Sequence, residues 1–571
     1  MKNTEIARIL KNISILLDME DIQFKPRAYE KAALTIESLE EDIEQIYKKG
    51  GLKALKQIPG VGESIAEKIE ELIKTNKLGY YQKLYQKTPV DLETLTNIEG
   101  LGPKTIKTLY QELQIKTIED LEKAARKHKI SKLPGFKEKT EQNILKAIEF
   151  AKKHKGRHIL GYTLPLIREI ENKLKNHPKI KTATIAGSVR RMKETIGDVD
   201  YLVISNSPDE VTEFFISMPE VTQIIETGKT KSAVKLETAL NADIRILREE
   251  SFGAALQYFT GNKPHNIELR RIAQKKGWKL NEYGIFHKNK QIAGRTEEEI
   301  YQKLGMKWIP PELRENTGEI EAAKKGKLPK LISYNDLKGD LQVHSNWTDG
   351  QNSIEEMANQ AKKNGLEYIV ISDHTKYLAM TGGLDEKALA KQKKEIEQIN
   401  KKLKDLTILQ GAEVNILKNG DLDITNNALK TLDVASVAVH SHFNLNKEEM
   451  TKRVLKAIEN SNVDILLHPT TREIQKREPI QLNLEKIIQA AKDNGTILDI
   501  DSYPDRLDLK DEHIKKAVQF GAKLEISSDA HTTTQLHYLE LGIAQARRGW
   551  ATNKNIVNSH KLEDFRKLLK N

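Results

Sequence analysis

The sequence predicts a multidomain α/β and α+β protein, and three observations predict it. In residues 1–150, apolar residues fall at helical spacing between recurring glycine turns. Residues 155–250 alternate helix and strand patterns around two aspartates at i and i+2. Residues 331–571 alternate apolar strands with helices, and nearly every strand runs into a His or Asp. At 571 residues the chain accommodates roughly four domains of about 150 residues each.

Composition narrows the classes. Hydrophobic residues make up 38% and charged residues 31%, which implies a heavily solvated surface. No run approaches the roughly 18 apolar residues of a membrane span. Met1–Arg8 lacks an apolar signal core, so a cytoplasmic protein without a membrane partner is expected. The chain has no cysteine, which excludes disulfides and thiolate-bound zinc; any metal must be held by His, Asp, Glu or backbone oxygen. Residues 1–330 carry 59 Lys and Arg against 47 Asp and Glu, a net +12, whereas residues 331–571 carry 34 against 35, a net −1. That basic excess suits a polyanionic partner.

The helical part has apolar positions at helical spacing in 4–17, 28–39 and 64–73. Ile58-Pro59-Gly60-Val61-Gly62 recurs as Ile98-Glu99-Gly100-Leu101-Gly102, and a third copy, Leu133-Pro134-Gly135-Phe136-Lys137, replaces the second glycine with lysine. Each copy is an apolar anchor, a glycine turn and a helix start, whose free N–H groups can meet a phosphate. This is the helix-hairpin-helix pattern for sequence-independent binding of a DNA backbone. A single copy would equally suit a generic helical turn, so the repetition carries the reading.

In the middle part, Gly187-Ser188-Val189-Arg190-Arg191 follows the apolar run Thr184–Ala186, and Gly197-Asp198-Val199-Asp200 leads into Tyr201–Ile204. In a strand Asp198 and Asp200 share a face. Two bare carboxylates 4 Å apart repel by about 4 kcal/mol at an effective dielectric near 20, and divalent cations relieve this. Asp243, in the apolar run Ala242–Leu247, supplies a third carboxylate. One such aspartate is ordinarily a solvated cap or loop residue; three in strand contexts point to two-metal phosphoryl or nucleotidyl transfer with Mg²⁺ or Mn²⁺. Tyr258-Phe259-Thr260-Gly261 starts a loop–helix, and 324–330 read as a solvated linker.

In the last part, strands are expected at Tyr368–Ile371, Val434–Val439, Asp464–Leu467, Thr496–Ile500 and Leu524–Ser527. They imply a parallel sheet or barrel whose strand ends converge on one mouth. His344, Asp349, Asp373, His374, Glu413, His440, His442, His468, Asp529 and His531 gather in this part, most of them at strand ends. A nitrogen and oxygen donor set without sulfur suits Zn²⁺, Mn²⁺ or Fe²⁺.

Residues 1–320 resemble the family X DNA polymerases, the DNA polymerase beta group. The likeness rests on the hairpins, Gly187–Arg191 through Asp200, Tyr258–Gly261 and Asn281–Ile285. It implies that Asp198, Asp200 and Asp243 are the metal-binding catalytic carboxylates. Gly187, Ser188 and Arg191 would contact the triphosphate, with Arg245 poised beside Asp243. Tyr258, Phe259 and Gly261 would line the sugar, and Asn266 and Arg270 would meet the nascent base pair. Lys25, Tyr29, Gly60, Gly62, Gly100 and Gly102 would face DNA. Lys68 matches the Schiff-base lysine of a 5′-deoxyribose-phosphate lyase, although Ser64 stands where relatives often carry lysine; a solvated helix lysine is the competing reading.

Residues 336–571 resemble the PHP (polymerase and histidinol phosphatase) domain, a distorted barrel holding up to three metals for phosphoester hydrolysis. The resemblance carries the ligands over as His344, Asp349, His374, Glu413, His440, His468, Asp529 and His531. The usual opening motif is His-x-His, and here its first position is Gln342. His442 matches no ligand role.

The combination implies the following organisation: a lyase-like helical domain (1–85), helix-hairpin-helix fingers (86–152), a nucleotidyltransferase palm (153–255), a nucleotide-binding subdomain (256–323), a linker (324–335) and the PHP barrel (336–571). It implies a monomeric, gap-filling polymerase of base excision repair. Its substrates would be gapped or nicked double-stranded DNA and dNTPs. The barrel would supply a 3′→5′ exonuclease, with abasic-site endonuclease or 3′-phosphodiesterase activity as extensions. A chain that is mainly a nuclease, with a DNA-binding but weakly active polymerase half, is the alternative reading.

Overall fold

The structure is a computed structural model that describes residues 3–37, 39, 41–96, 98, 100–153, 156–378 and 381–570. The helical part opens with Asn3–Met19, Lys25–Glu37, Ile43–Leu55 and Glu63–Thr75, close to the expected periodic segments; residue 38 of the expected 28–39 helix lies outside the described residues. One apolar cluster runs from Ile6 to Ile148. The hairpins hang from it. Ile58, Val61, Ile98 and Leu101 are buried, while the glycines between and after them are exposed. Gly60, Gly100 and Gly135 adopt φ of 79°, 84° and 84°, the left-handed region that only glycine enters freely. The second glycine is different. Gly62 and Gly102 cap the next helix at φ −76° and −77°, which any residue adopts, and this is why Lys137 fits the third copy.

The palm is a five-stranded sheet of β1 (Thr182–Ile185), β2 (Asp198–Ile204), β3 (Val221–Thr227), β4 (Lys231–Leu236) and β5 (Asn241–Leu247), ordered β1-β2-β5-β4-β3. Strands β2 and β5 are parallel, with Asp200 opposite Asp243. Val199, Tyr201 and Val203 are fully buried on the opposite face to the aspartates, packed with Ile167 and Ile170 of helix Leu160–Lys175. Next to the palm, a three-stranded meander, β6 (Lys279–Asn281), β7 (Gly284–His287) and β8 (Lys290–Ala293), packs with helices Phe252–Thr260, Lys263–Lys275 and Glu297–Leu304. Residues 324–327 are exposed, but Ile332 is fully buried and its N–H bonds the Ala551 carbonyl at 3.1 Å, so the following stretch is anchored to the last part of the chain.

Seven parallel strands form the C-terminal barrel in chain order: β9 (Gly339–Val343), β10 (Tyr368–Ile371), β11 (Thr407–Asn415), β12 (Val434–Ala438), β13 (Ile465–Leu466), β14 (Ile497–Asp501) and β15 (Leu524–Ser527). A parallel bridge between Val343 and Ala530 nearly closes the ring. Five strands match the apolar runs; β9 and β11 are additional, and Gln410, Gly411 and Glu413 interrupt the apolar pattern of β11. Alternate strand residues separate into two cores. Leu341, Val370, Leu409, Val434 and Ile497 cluster with Phe565, and their neighbours Ile369, Ile408, Ala435 and Leu498 pack under the helices. Among the described residues, no helix is long and apolar enough to cross a membrane.

The barrel is clamped to the palm and its neighbour. Arg472 holds Glu194 at 2.7 and 3.2 Å, Arg547 holds Glu312 at 2.7 Å, and Arg168 holds Glu540 at 2.8 Å. The helical part reaches the barrel through Thr35 and Gln351, whose side chains touch.

Candidate active sites

The palm site grows from one turn and two strands. Gly187, at φ 64°, begins the short helix Gly187–Arg190; a Cβ there would lie 3.0 Å from Asp200 Oδ2, so the turn and the carboxylate fit only with glycine. The Ala186 N–H bonds the Asp200 carbonyl at 2.8 Å and locks the turn to β2. Burial, then Asp198, raises the Asp200 carboxyl to about 6, against the pull of Arg245. Arg245 lies 3.9 Å from Asp200 Oδ1 and 3.8 Å from Asp243 Oδ2, with its guanidinium 4.2 Å above the Phe259 ring. Lys231 stands 3.5 Å from Asp243. The two cations thus flank Asp200 and Asp243 at a distance, without occupying their lone pairs at hydrogen-bond range. Tyr258 meets Phe259 edge-on at 5.2 Å.

The barrel site centres on Glu413, which is 1% exposed. His440 Nε2 and His468 Nε2 approach its Oε1 at 2.7 and 2.8 Å; His344 Nε2 and His374 Nδ1 approach Oε2 at 3.4 Å each. His344 Nε2 is also 3.1 Å from Asp529, and His374 Nε2 is 3.2 Å from Asp349, which His531 faces at 3.6 Å. Burial favours a neutral carboxyl at Glu413, yet the His374 charge, with the His344 hydrogen bond, holds it well below the usual range. Burial drives His440 down to about 4, so its imidazole is neutral at pH 7.

Three overlapping groups have donor atoms all within 4.8 Å: His344, Asp349, His374 and His531; His374, Glu413 and His440; His344, Glu413 and Asp529. Among the described residues the palm triad is not one of these tight groups. Both nitrogens of His344, and Nδ1 of His374 and of His468, are buried without a hydrogen-bond partner. Orphaned imidazole nitrogens around a shared carboxylate fit divalent cations, and the all-nitrogen-and-oxygen donor set agrees.

Comparison with known proteins fits this architecture. The helix-hairpin-helix domain profile matches residues 1–78 and the SAM-like helix-hairpin-helix tandem residues 92–149. The DNA polymerase beta thumb matches 255–315, and the PHP domain matches 340–525. The "DNA polymerase/3'-5' exonuclease PolX" of Bacillus subtilis is 35% identical over 575 residues, covering 100% of both chains. This chain belongs to the family X DNA polymerases that carry a PHP domain. The DNA polymerase lambda of Arabidopsis thaliana is 24% identical, over 54% of this chain and 61% of its own. A probable phosphatase of Thermoanaerobacter sp. (strain X514) is 28% identical over 36% of this chain and 84% of its own. Divalent-metal dependence and DNA binding follow from the family.

Against the family pattern, the expected nucleotide contacts fall into distinct environments. Ser188 is half-buried beside the aspartates. Arg191 is tied down: its Nε donates to Glu315 at 2.8 Å, and its Nη1 donates to the Thr260 carbonyl. Asn266 is buried, its amide shared between Gln257 (2.7 Å) and the Tyr258 carbonyl (2.6 Å), whereas Arg270 is exposed. Asn266 therefore braces the end of helix Phe252–Thr260 through the Tyr258 carbonyl. In the helical part Lys68 Nζ donates to Ser64 Oγ at 2.8 Å and to the Ser64 carbonyl at 2.9 Å, 4.8 Å from the Tyr80 ring centre. Burial, with Lys25 adding positive charge, lowers its pKa. Tyr29 stacks on the same Tyr80 at 6.3 Å, while Lys25 is exposed. His442 is exposed and outside the metal groups.

Several supporting residues carried no sequence signal. Asn415 Oδ1 takes His440 Nδ1 at 2.7 Å, and Asp499 Oδ2 accepts the His468 backbone N–H at 2.9 Å. Asn415 follows Glu413 by two residues on β11, so its placement on the same face becomes readable only once that strand is recognised.

Proposed function

We propose that this polymerase fills short gaps during base excision repair and that its barrel trims 3′ ends. Family membership makes the chain a DNA polymerase with a 3′-5′ exonuclease. The observation that supports the residue assignment is the pairing of Asp200 with Asp243 on adjacent parallel strands, Asp198 two residues before on the same face. These carboxylates would hold Mg²⁺ or Mn²⁺, which lowers the pKa of the primer 3′-hydroxyl and balances charge on the triphosphate. Ser188 and Arg191 orient the triphosphate, Tyr258 and Phe259 bound the sugar, and the hairpins grip the duplex backbone on either side of the gap.

In the barrel, His344, Asp349, His374, Glu413, His440, His468, Asp529 and His531 would hold Zn²⁺, Mn²⁺ or Fe²⁺, supplying a water nucleophile at neutral pH. Glu413 draws two metal groups together, and the neutral His440 is ready to ligate. Lys68, whose pKa burial lowers, is assigned attack on C1′ of an abasic sugar, with loss of water to give the imine.

The deciding experiment uses end-labelled gapped DNA with Mg²⁺ or Mn²⁺, with and without dNTPs. Asp198→Ala with Asp200→Ala should abolish extension and leave 3′ trimming. His344→Ala with His374→Ala should do the reverse. Extension by the first double variant overturns the palm assignment; trimming without measurable extension in the unaltered protein favours the chain as mainly a nuclease. Borohydride trapping of an abasic-site adduct, lost in Lys68→Ala, tests the lyase.

A further inference from the structure

We infer that Arg548, a residue of the C-terminal barrel, positions the nucleotide-binding Arg191 of the palm. The inference rests on the assignment of Arg191 to the triphosphate. Arg548 ends helix Leu539–Arg548, and its side chain is 1% exposed. One arm, Nη1, donates to the Arg191 backbone carbonyl at 3.1 Å and faces Glu315 Oε1 at 3.5 Å. The other arm, Nη2, pairs with Asp511. Glu315 in turn receives Arg191 Nε at 2.8 Å and Asn262 Nδ2 at 3.0 Å.

The consequence is a guanidinium fixed on two sides. Arg191 spends Nε on Glu315 and Nη1 on Thr260, where the adjacent Gly261 leaves only 3.3 Å between its would-be Cβ and Nη1. Among the described residues its Nη2 takes no hydrogen bond, which leaves one edge of the fork for an anion. Arg548 is itself buried away from solvent. It holds both the backbone of Arg191 and the carboxylate that orients Arg191, so the barrel contributes to the polymerase site from behind. Only a planar fork reaches both partners while keeping Asp511 paired; a lysine can serve one of them.

The test is steady-state single-nucleotide gap filling by the full-length protein, with KM for dNTP and kcat measured separately. Arg548→Lys keeps the buried charge beside Asp511 but loses the bridge; KM should rise by about five-fold with kcat within about two-fold. Arg548→Met with Asp511→Asn removes the pair together, leaving no orphaned buried charge, and should raise KM by about ten-fold. Trimming of 3′ ends by the same preparations should stay within about two-fold, which a general loss of folding would not allow. Arg191→Ala separates the two claims. If it leaves KM unchanged, the triphosphate assignment fails; if it raises KM and Arg548→Lys does not, the positioning role alone is overturned. Should the double variant not fold, Arg548→Lys decides by itself.

Discussion

Gln342 Nε2 donates to Glu413 Oε2 at 3.3 Å, while its Oε1 accepts from Ser527 Oγ at 3.3 Å. Gln342 therefore sits against the His344–Glu413–Asp529 group, at the position where the PHP pattern carries its first histidine. An amide is a poorer ligand than an imidazole for zinc-like metals, so this group has three strong donors instead of four. Gln342→His is expected to retain about one further equivalent of Zn²⁺ or Mn²⁺ per chain after gel filtration. Elemental analysis by mass spectrometry checks it; an unchanged metal content would show that Gln342 already ligates.

Asn415 fixes the tautomer of His440. Its Oδ1 meets His440 Nδ1 at 2.7 Å, and its Nδ2 is anchored on Asp423 at 2.9 Å and Thr375 at 3.0 Å. With Nδ1 protonated, the neutral imidazole presents Nε2 to the metal group. Asn415→Leu should weaken metal binding by about 10–100-fold with little effect on nucleotide incorporation. Competition with a chelating dye measures the first, and gap filling measures the second.

Much of both sites was legible because local periodicity encodes it. Asp198 and Asp200 share a face in any strand, and the His and Asp residues of the barrel follow apolar strands directly. Glu413 was legible as a ligand only through the order of motifs, since Gln410 and Gly411 disguise β11 as something other than a strand. The clamps between parts were not legible at all. Arg548 and Glu315 are 233 residues apart, Arg472 and Glu194 are 278 apart, and each belongs to an ordinary-looking charged segment. Which charges become buried partners depends on how the parts dock, and no local pattern records that. The anchoring of Ile332 beyond the lysine-rich 324–330 stretch has the same origin.

The two glycines of the second hairpin should respond differently to alanine. Gly100 holds φ 84°, so Gly100→Ala should cost about 1–2 kcal/mol through backbone strain even though its Cβ meets nothing. Gly102 has φ −77° and open space, so Gly102→Ala should leave stability within about 0.5 kcal/mol. Its new methyl would nevertheless stand between the start of helix Pro103–Leu113 and a phosphate, weakening duplex binding several-fold. Thermal melts and fluorescence anisotropy on gapped duplex separate the two effects. Equal losses of stability would contradict the assigned roles.

Acid should loosen the subdomain beside the palm through Glu297. Burial alone would raise this carboxyl, but Arg314 and Arg190 bring it down to about 2 from an ordinary 4.5. Arg314 binds it at 2.6 and 3.1 Å, Arg190 at 2.8 Å through both arms, and Trp308 Nε1 at 3.0 Å. Because the folded value lies below the unfolded one, the stabilisation is fully present above pH 4.5 and is lost as pH falls toward 2. The shift corresponds to about 3 kcal/mol. Glu297→Gln leaves the fully buried Arg314 without its counter-charge, so the variant should be weaker than the unaltered protein by about 3–5 kcal/mol at pH 7. Below pH 4.5 that gap should narrow, because the unaltered protein is losing the same charge. Urea unfolding followed by tryptophan fluorescence at pH 7 and near pH 3 measures it; a gap that stays constant across that range would mean that the two arginines do not depress this carboxyl in the folded protein.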